Sequence, residues 1–320
     1  MRQELIGEVN QLLIEAGFEV INSSGCRSSF DLLASKDDSL FVVKISSNVE
    51  GFTPKSSFDI RLVADLLGAT PIVVSHSMKH STLRDGVVYN RHGVKVVNVK
   101  TLKEAVDSSL SGVYSIRGNY CMGIDPSKLS FLRKRQRLSQ QELAKKIGVS
   151  KQSIYRYESK GKVALDVALR LESFFNESLS EDIGLIEVFF GQQDHLKDAV
   201  VEGHVSSLKR RVLDIFDDLG FNASLTNAPF NLLAFDSERK VGKKKSDKAR
   251  SEDEVFTIIS NDPVKLERRV DVVREISDIV GGYTVTVSER TFDCGFPIIR
   301  PDELKELSDK KDFIRILKEY

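Results

Sequence analysis

The chain has 320 residues, 41% hydrophobic and 29% charged, and its 47 basic and 47 acidic side chains cancel to a formal net charge of zero. That length allows two or three domains with sizeable cores, and the composition excludes a disordered, collagenous or disulfide-stapled chain. Cys26, Cys121 and Cys294 are far apart and none has a CxxC partner, which argues against a zinc site or a disulfide framework. No stretch approaches the 18 or so uncharged apolar residues that a membrane span needs. The amphipathic start MRQELIGEVNQLLIEAGF carries acids inside its apolar pattern, so it does not read as a signal peptide. The expectation is a cytoplasmic protein with no membrane partner.

In chain order, the first helix runs into Gly17-Phe18, a short strand and then Phe30-Asp31-Leu32-Leu33-Ala34. A buried-type strand follows at Leu40–Ser46, then a helix ending at Gly68, a strand at Thr70–Ser75, and VKVVNVKTL from Val94 to Leu102. SHSMKHST reads as a loop after a strand; His76 and His80 lack a third ligand and are not expected to hold a metal. GFTPKSSFD, from Gly51 to Asp59, reads as an ordinary turn leading into a helix. SIRGNYCMGIDPSKL, from Ser115 to Leu129, is rich in Gly and Pro and reads as a linker or turn segment.

Charge then concentrates. Between Lys128 and Lys162 stand eleven basic residues against Glu142 and Glu158 alone, a local net charge of +9 inside a neutral chain, which points to a polyanion. The same segment holds LSQQELAKKIGVSKQSIYRYE. Leu129 and Leu132 face inward on a first helix. Ser139 is an N-cap and Glu142 completes a capping box, Leu143, Ala144 and Ile147 form a buried stripe, and Gly148 supplies the positive φ that stops the helix. Ser150 caps the next helix, with Ile154 and Tyr157 inward. Two helices joined by a tight Gly turn make a helix-turn-helix. Its second helix turns Lys151, Gln152, Ser153 and Arg156 outward, and these side chains pair with base edges: Gln with adenine, Lys or Arg with guanine. Gln140 is placed for a phosphate. Arg133 and Glu158 read as a pair tying the first helix to the third. VALDVALRLESFF continues as a fourth helix with Ala164, Val167, Ala168, Leu171 and Phe174 as its core.

These residues resemble the helix-turn-helix of the phage-repressor/Cro (Xre) family from about Lys128 to Phe175. The resemblance implies that Gln140 contacts the DNA backbone and that Lys151, Gln152, Ser153 and Arg156 read bases; Ser150, Tyr155 and Lys160 complete the expected contact set. The Arg133–Glu158 pair matches a structural ion pair of some members. Inverted-repeat operators in that family imply a homodimer on double-stranded DNA.

After this segment the first pattern returns. VLDIFDDLGFNASLTNAPFNLL, Val212–Leu233, repeats Leu12–Leu33: Gly220-Phe221 matches Gly17-Phe18, and Phe230-Asn231-Leu232-Leu233-Ala234 matches Phe30–Ala34. Strands follow at Val255–Ser260 and Tyr283–Val287, and PIIRPDEL, Pro297–Leu304, stands where VKVVNVKTL stood. The basic stretch RKVGKKKSDKAR, Arg239–Arg250, falls between two strands and reads as a hairpin tip, either a solvated loop or an added backbone clamp.

Each copy reads α-β-β-β-α-β-β, which resembles the restriction-endonuclease-like fold of the PD-(D/E)xK nucleases. That family needs an Asp, then Glu-x-Lys on the next strand, the carboxylates holding Mg²⁺ and the Lys helping to activate water. The first copy has Asp31 and Lys44, with Glu15 in its first helix, but Val42 fills the second carboxylate slot, and an apolar side chain cannot ligate a hard cation. In the second copy the Asp slot is Asn231 and the Lys slot reads as Ile259. The whole layout resembles archaeal HTH-type transcriptional regulators.

The expected fold is α/β plus all-α: a degenerate nuclease-like domain at 1–112, a linker at 113–127, the helix-turn-helix domain at 128–190 and a second degenerate nuclease-like domain at 205–320. No P-loop, dinucleotide fingerprint, Ser-His-Asp spacing or kinase signature is present, so no catalytic residue, metal or cofactor is expected. The expected function is sequence-specific DNA binding in transcription regulation without catalysis. The alternative is a structure-selective nucleic-acid processing protein, active or pseudo-nuclease, tethered by the helix-turn-helix.

Overall fold

The computed structural model describes residues 2–107, 110–111, 113–116, 119–180, 182–183, 205–236, 254–291, 297–307 and 309–319. The basic stretch 239–250 and Cys294 lie outside them. Packing gathers the chain into two compact units, one from residues 1–45, 53–72 and the described part of 193–320, the other from 46–52 and the described part of 73–192.

Helix α1 (Arg2–Glu15) buries Leu5, Ile6, Val9 and Leu13, one stripe at i, i+4, i+8. Gly17, at φ 83°, turns the chain toward β1 (Glu19–Asn22). Strands β1, β2 (Leu32–Lys36) and β3 (Ser39–Asn48) pair antiparallel, with Leu33 opposite Ile21 on one side and Val42 on the other. Helix α2 (Pro54–Leu67) begins at Thr53, whose hydroxyl accepts from the Ser56 N–H, and stops at Gly68 in the left-handed region. Strands β4 (Thr70–Met78), β5 (Ser81–Thr82), β6 (Val87–Arg91) and β7 (Val94–Val97) and helix α3 (Val99–Val106) follow. The stretch expected as a loop around His76 is instead a hairpin: β4 runs on to Met78, and Ser77 pairs with Thr82.

Next come β8 (Leu110–Ser111), β9 (Val113–Ile116), β10 (Asn119–Gly123), α4 (Pro126–Arg135), α5 (Gln140–Ile147), α6 (Lys151–Lys160), β11 (Lys162–Ala164), α7 (Leu165–Phe175) and β12 (Asp182–Ile183). Residues 113–127, expected as a linker, therefore carry two strands and the first turn of α4. The second unit's sheet runs β4-β7-β6-β9-β10-β11, with Met122 opposite Val113 on one side and Val163 on the other. Met122 and Val163 are buried in one core with Leu129, Leu132, Leu143, Ile147, Ile154 and Leu171, and Val113 packs against it. Val163 owes its place to the strand. In α7 the buried aromatic is Phe175, with Phe174 only partly covered, and Ala164 is exposed in β11; both correct the expected core.

The last segment is α8 (Ser207–Asp218), β13 (Phe221–Leu225), β14 (Leu232–Asp236), β15 (Val255–Ile259), α9 (Pro263–Val280), β16 (Tyr283–Val287), β17 (Ile298–Ile299), α10 (Pro301–Lys305) and α11 (Lys310–Lys318). Its sheet runs β13-β14-β15-β16-β17, the first two pairings antiparallel and the last two parallel. Phe216, Phe221 and Phe313 meet at centroid distances of 5.4 to 5.9 Å in the core between helices and sheet. Rings at these distances add to the area they bury.

Candidate DNA-binding interface

The helix-turn-helix is punctuated by local hydrogen bonds. Asp125 caps α4 by accepting from the Ser127 and Lys128 N–H groups, and Pro126 takes the first helical position, where no N–H is needed. The Ser139 hydroxyl accepts from the Glu142 N–H while the Glu142 carboxylate accepts from the Ser139 N–H at 2.8 Å, closing the capping box. The hydrogen bond from the Ser139 backbone holds the Glu142 carboxyl below its usual pKa. Gly148 (φ 76°) ends α5, and Ser150 opens α6 by accepting from the Ser153 N–H.

Behind α6 lies a buried polar knot. Arg133 grips Glu158 with two bonds, Nε to Oε1 at 2.6 Å and Nη2 to Oε2 at 3.1 Å, and its Nη1 donates to the Leu138 carbonyl. The two side chains are only 11% and 9% exposed. The expected Arg133–Glu158 pair is thus present. Gln140 joins it, its Nε2 donating to Glu158 Oε2 at 2.8 Å. Burial alone raises the Glu158 pKa, but the hydrogen bonds from Arg133 and Gln140 outweigh it and hold the carboxyl low. Gln140 is thus tied to α6 through Glu158. It is half-buried, with one of its two amide protons committed.

With Ile154 fully buried and Tyr157 and Glu158 half-buried, α6 turns Lys151, Gln152, Tyr155, Arg156, Ser159 and Lys160 to solvent. These positions repeat at i, i+1, i+4, i+5, i+8 and i+9, one continuous helical face. Tyr155 is 63% exposed. Ser150 and Ser153 share a hydroxyl–hydroxyl bond of 2.9 Å, so both belong first to the helix cap, and Ser153 is half-buried. The exposed face holds no acidic residue. Two large apolar side chains that no sequence pattern flags stand outside the bundle core, Phe131 on α4 and Leu169 on α7, 61% and 54% exposed.

The surroundings of Asp31 are built differently from a metal site. Asp31 is buried, and its Oδ1 accepts from Arg2 Nη2 at 2.6 Å and from Lys44 Nζ at 3.3 Å, while Oδ2 accepts from the Ile45 N–H at 2.7 Å. Asp31 thus pairs with Lys44, but Arg2, from the start of α1, takes the same oxygen. Val42 is fully buried two residues before Lys44, and Glu15 accepts from Gln11. Mg²⁺ does not fit this donor set: one carboxylate with both oxygens engaged, an apolar neighbour and two cations in place. Among the described residues no group of three His, Cys, Asp or Glu side chains could hold a metal ion.

The last segment has matching backbone bonds around a different side chain. The Asn231 N–H donates to the Thr257 carbonyl as that of Asp31 does to Val43, and Asn231 Oδ1 accepts from the Ile259 N–H at 2.8 Å. Ile259 thus stands where Ile45 does, and the Lys44 slot is Ile258, one residue earlier than the sequence suggests. Arg269, from α9, donates to Asn231 Oδ1 at 2.8 Å and to the Pro229 carbonyl.

Residues 2–110 match the PD-(D/E)XK superfamily domain and residues 129–181 match a helix-turn-helix family, so a nuclease-like α/β domain is joined to a helix-turn-helix module. The chain is similar over nearly its whole length to archaeal proteins named "putative HTH-type transcriptional regulatory protein". It is 29% identical to one from Methanococcus maripaludis strain C7, covering 99% of this chain and 98% of that protein. The relative from Methanocaldococcus jannaschii is 28% identical over 99% of this chain and 97% of its own, and that from Thermococcus gammatolerans 29% over 99% and 96%. No solved structure matches the chain. No helix among the described residues is long and apolar enough to cross a membrane.

Proposed function

We propose that the protein is a sequence-specific, non-catalytic DNA-binding transcription regulator that lays α6 in the major groove. The observation that carries this reading is the acid-free outer face of α6, held from behind by the Arg133–Glu158–Gln140 knot. Lys151, Gln152, Ser153 and Arg156 reach base edges; Ser150, Tyr155 and Lys160 flank them. Gln140 keeps its place at Glu158 and offers its second amide proton to a phosphate. A single module of this size gives modest affinity, so a homodimer is part of the proposal, and Phe131 and Leu169 are apolar groups that a protomer contact would cover. The proposal also takes segments 1–112 and 205–320 as one nuclease-like domain written twice, flanking a helix-turn-helix domain at 128–190. The shared register and the matching bonds at Asp31 and Asn231 support this. The setting is cytoplasmic.

Selection of bound duplexes from a random DNA library at low and moderate salt tests this reading. The expected result is a defined motif that survives the higher salt and disappears in the Gln152→Ala/Arg156→Ala variant. Binding without a motif that collapses with salt would leave only phosphate contacts and overturn it.

The PD-(D/E)XK match favours a second reading, a nucleic-acid processing protein tethered by the helix-turn-helix. It requires Mg²⁺-dependent cleavage that is lost in Asp31→Ala, and the engaged oxygens of Asp31 beside Val42 speak against it.

A further inference from the structure

Asp31 carries two cations on one carboxylate. Its Oδ1 accepts from Arg2 Nη2 at 2.6 Å and from Lys44 Nζ at 3.3 Å, and its Oδ2 is taken by the Ile45 N–H at 2.7 Å. The Asp31 side chain is only 3% exposed, whereas those of Arg2 and Lys44 are 43% and 23% exposed. The acid is sealed in, and the two cations stand between it and solvent. Among the described residues neither cation pairs with a second carboxylate, so the group keeps one positive charge that nothing within it offsets. Donors are left over as well. Arg2 spends Nε on the Ile45 carbonyl and one Nη2 proton on Asp31, out of the five that a guanidinium carries. Lys44 spends one proton on the Ser28 carbonyl and one on Asp31, out of the three on an ammonium.

Spare donors and an excess charge on two separate elements, α1 and β3, suit an oxyanion, and the size of the excess selects which. A phosphodiester carries one negative charge and brings the group to neutrality. A phosphate monoester, with nearly two at pH 7, overshoots it beside the Asp31 carboxylate. We propose that Arg2 and Lys44, held by Asp31, grip one backbone phosphodiester of a nucleic acid without a metal ion. The choice of nucleic acid as the source rests on the DNA-binding reading; the anion site itself does not, because neither residue belongs to the helix-turn-helix. A contact of this kind positions the chain on its partner and reads no sequence. At Asn231 an amide oxygen accepts the same two kinds of bond, one from an arginine and one from a strand N–H. Asp31→Asn can therefore keep the frame while removing the negative charge.

The test is binding of a random-sequence 20-base-pair duplex by the full chain across a salt series, in EDTA and in Mg²⁺. In Lys44→Gln the slope of log affinity against log salt is expected to become shallower by about 0.9, the loss of one phosphate contact, and Lys44→Arg is expected to restore it. Asp31→Asn is expected to bind several-fold tighter than the parent in EDTA, because its two cations are then opposed by no acid. A metal site predicts the opposite sign, binding that needs Mg²⁺ and is lost in Asp31→Asn, and that result would overturn the proposal. So would an unchanged slope in Lys44→Gln, an Asp31→Asn protein that binds no tighter, or a parent that binds no duplex at all. If Lys44→Gln does not fold, the sign of the Asp31→Asn effect decides alone. A parent that selects a defined motif while both variants bind as it does sinks this site and leaves the regulator reading standing. A parent that selects no motif, with both variants shifted as expected, sinks sequence-specific reading and leaves this site standing.

Discussion

At Glu158 a single carboxylate holds two helices and the Gln140 amide in one geometry. Removing one partner of a buried pair leaves the other charge uncompensated, which typically costs about 3–5 kcal/mol. Glu158→Gln is therefore expected to lower unfolding stability by about 3 kcal/mol in urea titrations. Arg135→Gln, which breaks the half-exposed pair with Glu177, is expected to change it by under about 1 kcal/mol. Because the folded-state pKa of Glu158 is depressed, its contribution is present above the unfolded carboxyl pKa of about 4.3 and is lost as pH falls through the folded value. The gap between parent and Glu158→Gln should be constant from pH 6 to 8 and should shrink in acid; a gap that widens in acid contradicts the assignment. Asp31 makes a different prediction. If its role is to accept from Arg2, Lys44 and the Ile45 N–H, Asp31→Asn keeps the backbone bond, as Asn231 does, and costs about 1–2 kcal/mol. Asp31→Ala leaves the buried N–H and both cations without their acceptor and costs more. Neither substitution should change nucleic-acid cleavage in Mg²⁺, and loss of a cleavage activity in either would reinstate the enzyme reading.

Where α6 passes into β11, the chain has little room. Gly161 sits at φ 64°, and a Cβ there would stand 2.5 Å from the Ile124 carbonyl oxygen, a backbone atom. Gly148, at φ 76°, would meet only the flexible Arg170 guanidinium at 3.5 Å. Gly148→Ala should therefore cost about 1–2 kcal/mol for the left-handed backbone alone, and Gly161→Ala should cost at least twice that, read from the difference in urea midpoint. Equal costs would mean that β10 and β11 part easily. The contrast also shows what a sequence makes legible. The caps at Ser139 and Ser150, the stop at Gly148 and the buried stripe of α5 are settled by neighbours three or four residues apart, and all are readable in order. β9, β10 and β11 are three to five residues each, contain Gly and polar side chains, and exist only because they pair with one another across the whole helix-turn-helix. For the same reason the bond from Gln140 to Glu158, a helix away, is in no local pattern. The overlap of Arg2 with Lys44 on one oxygen of Asp31, and the one-residue shift from Ile259 to Ile258, likewise depend on strand register that no local pattern contains.

At the scale of the molecule, the compact units do not follow the linear order of the two family matches. β3 and β4 each contribute to both units, and the helix-turn-helix shares its sheet with β6 and β7 from the nuclease-like segment. The sequence boundary at 128 falls after the residues that close the bundle from below. Met122 and Ile124 are 4% and 2% exposed within its core, Met122 and Gly123 hold β11 in register, and Asp125 caps α4. Deleting a large buried side chain typically costs about 2–5 kcal/mol and losing a cap about 1 kcal/mol. Two such side chains and a cap therefore remove about 5–11 kcal/mol, comparable to the whole stability of a small domain, about 5–15 kcal/mol. A fragment spanning 128–190 is accordingly expected to lack a cooperative thermal transition by circular dichroism. A fragment spanning 113–190, which keeps β9 and β10, is expected to melt cooperatively. If both melt alike, the strands merely decorate a self-sufficient helical module. If only the longer one folds, α6 is presented to DNA on a sheet that begins in the nuclease-like segment, and a change in that segment can reach the reading helix through β6, β9, β10 and β11.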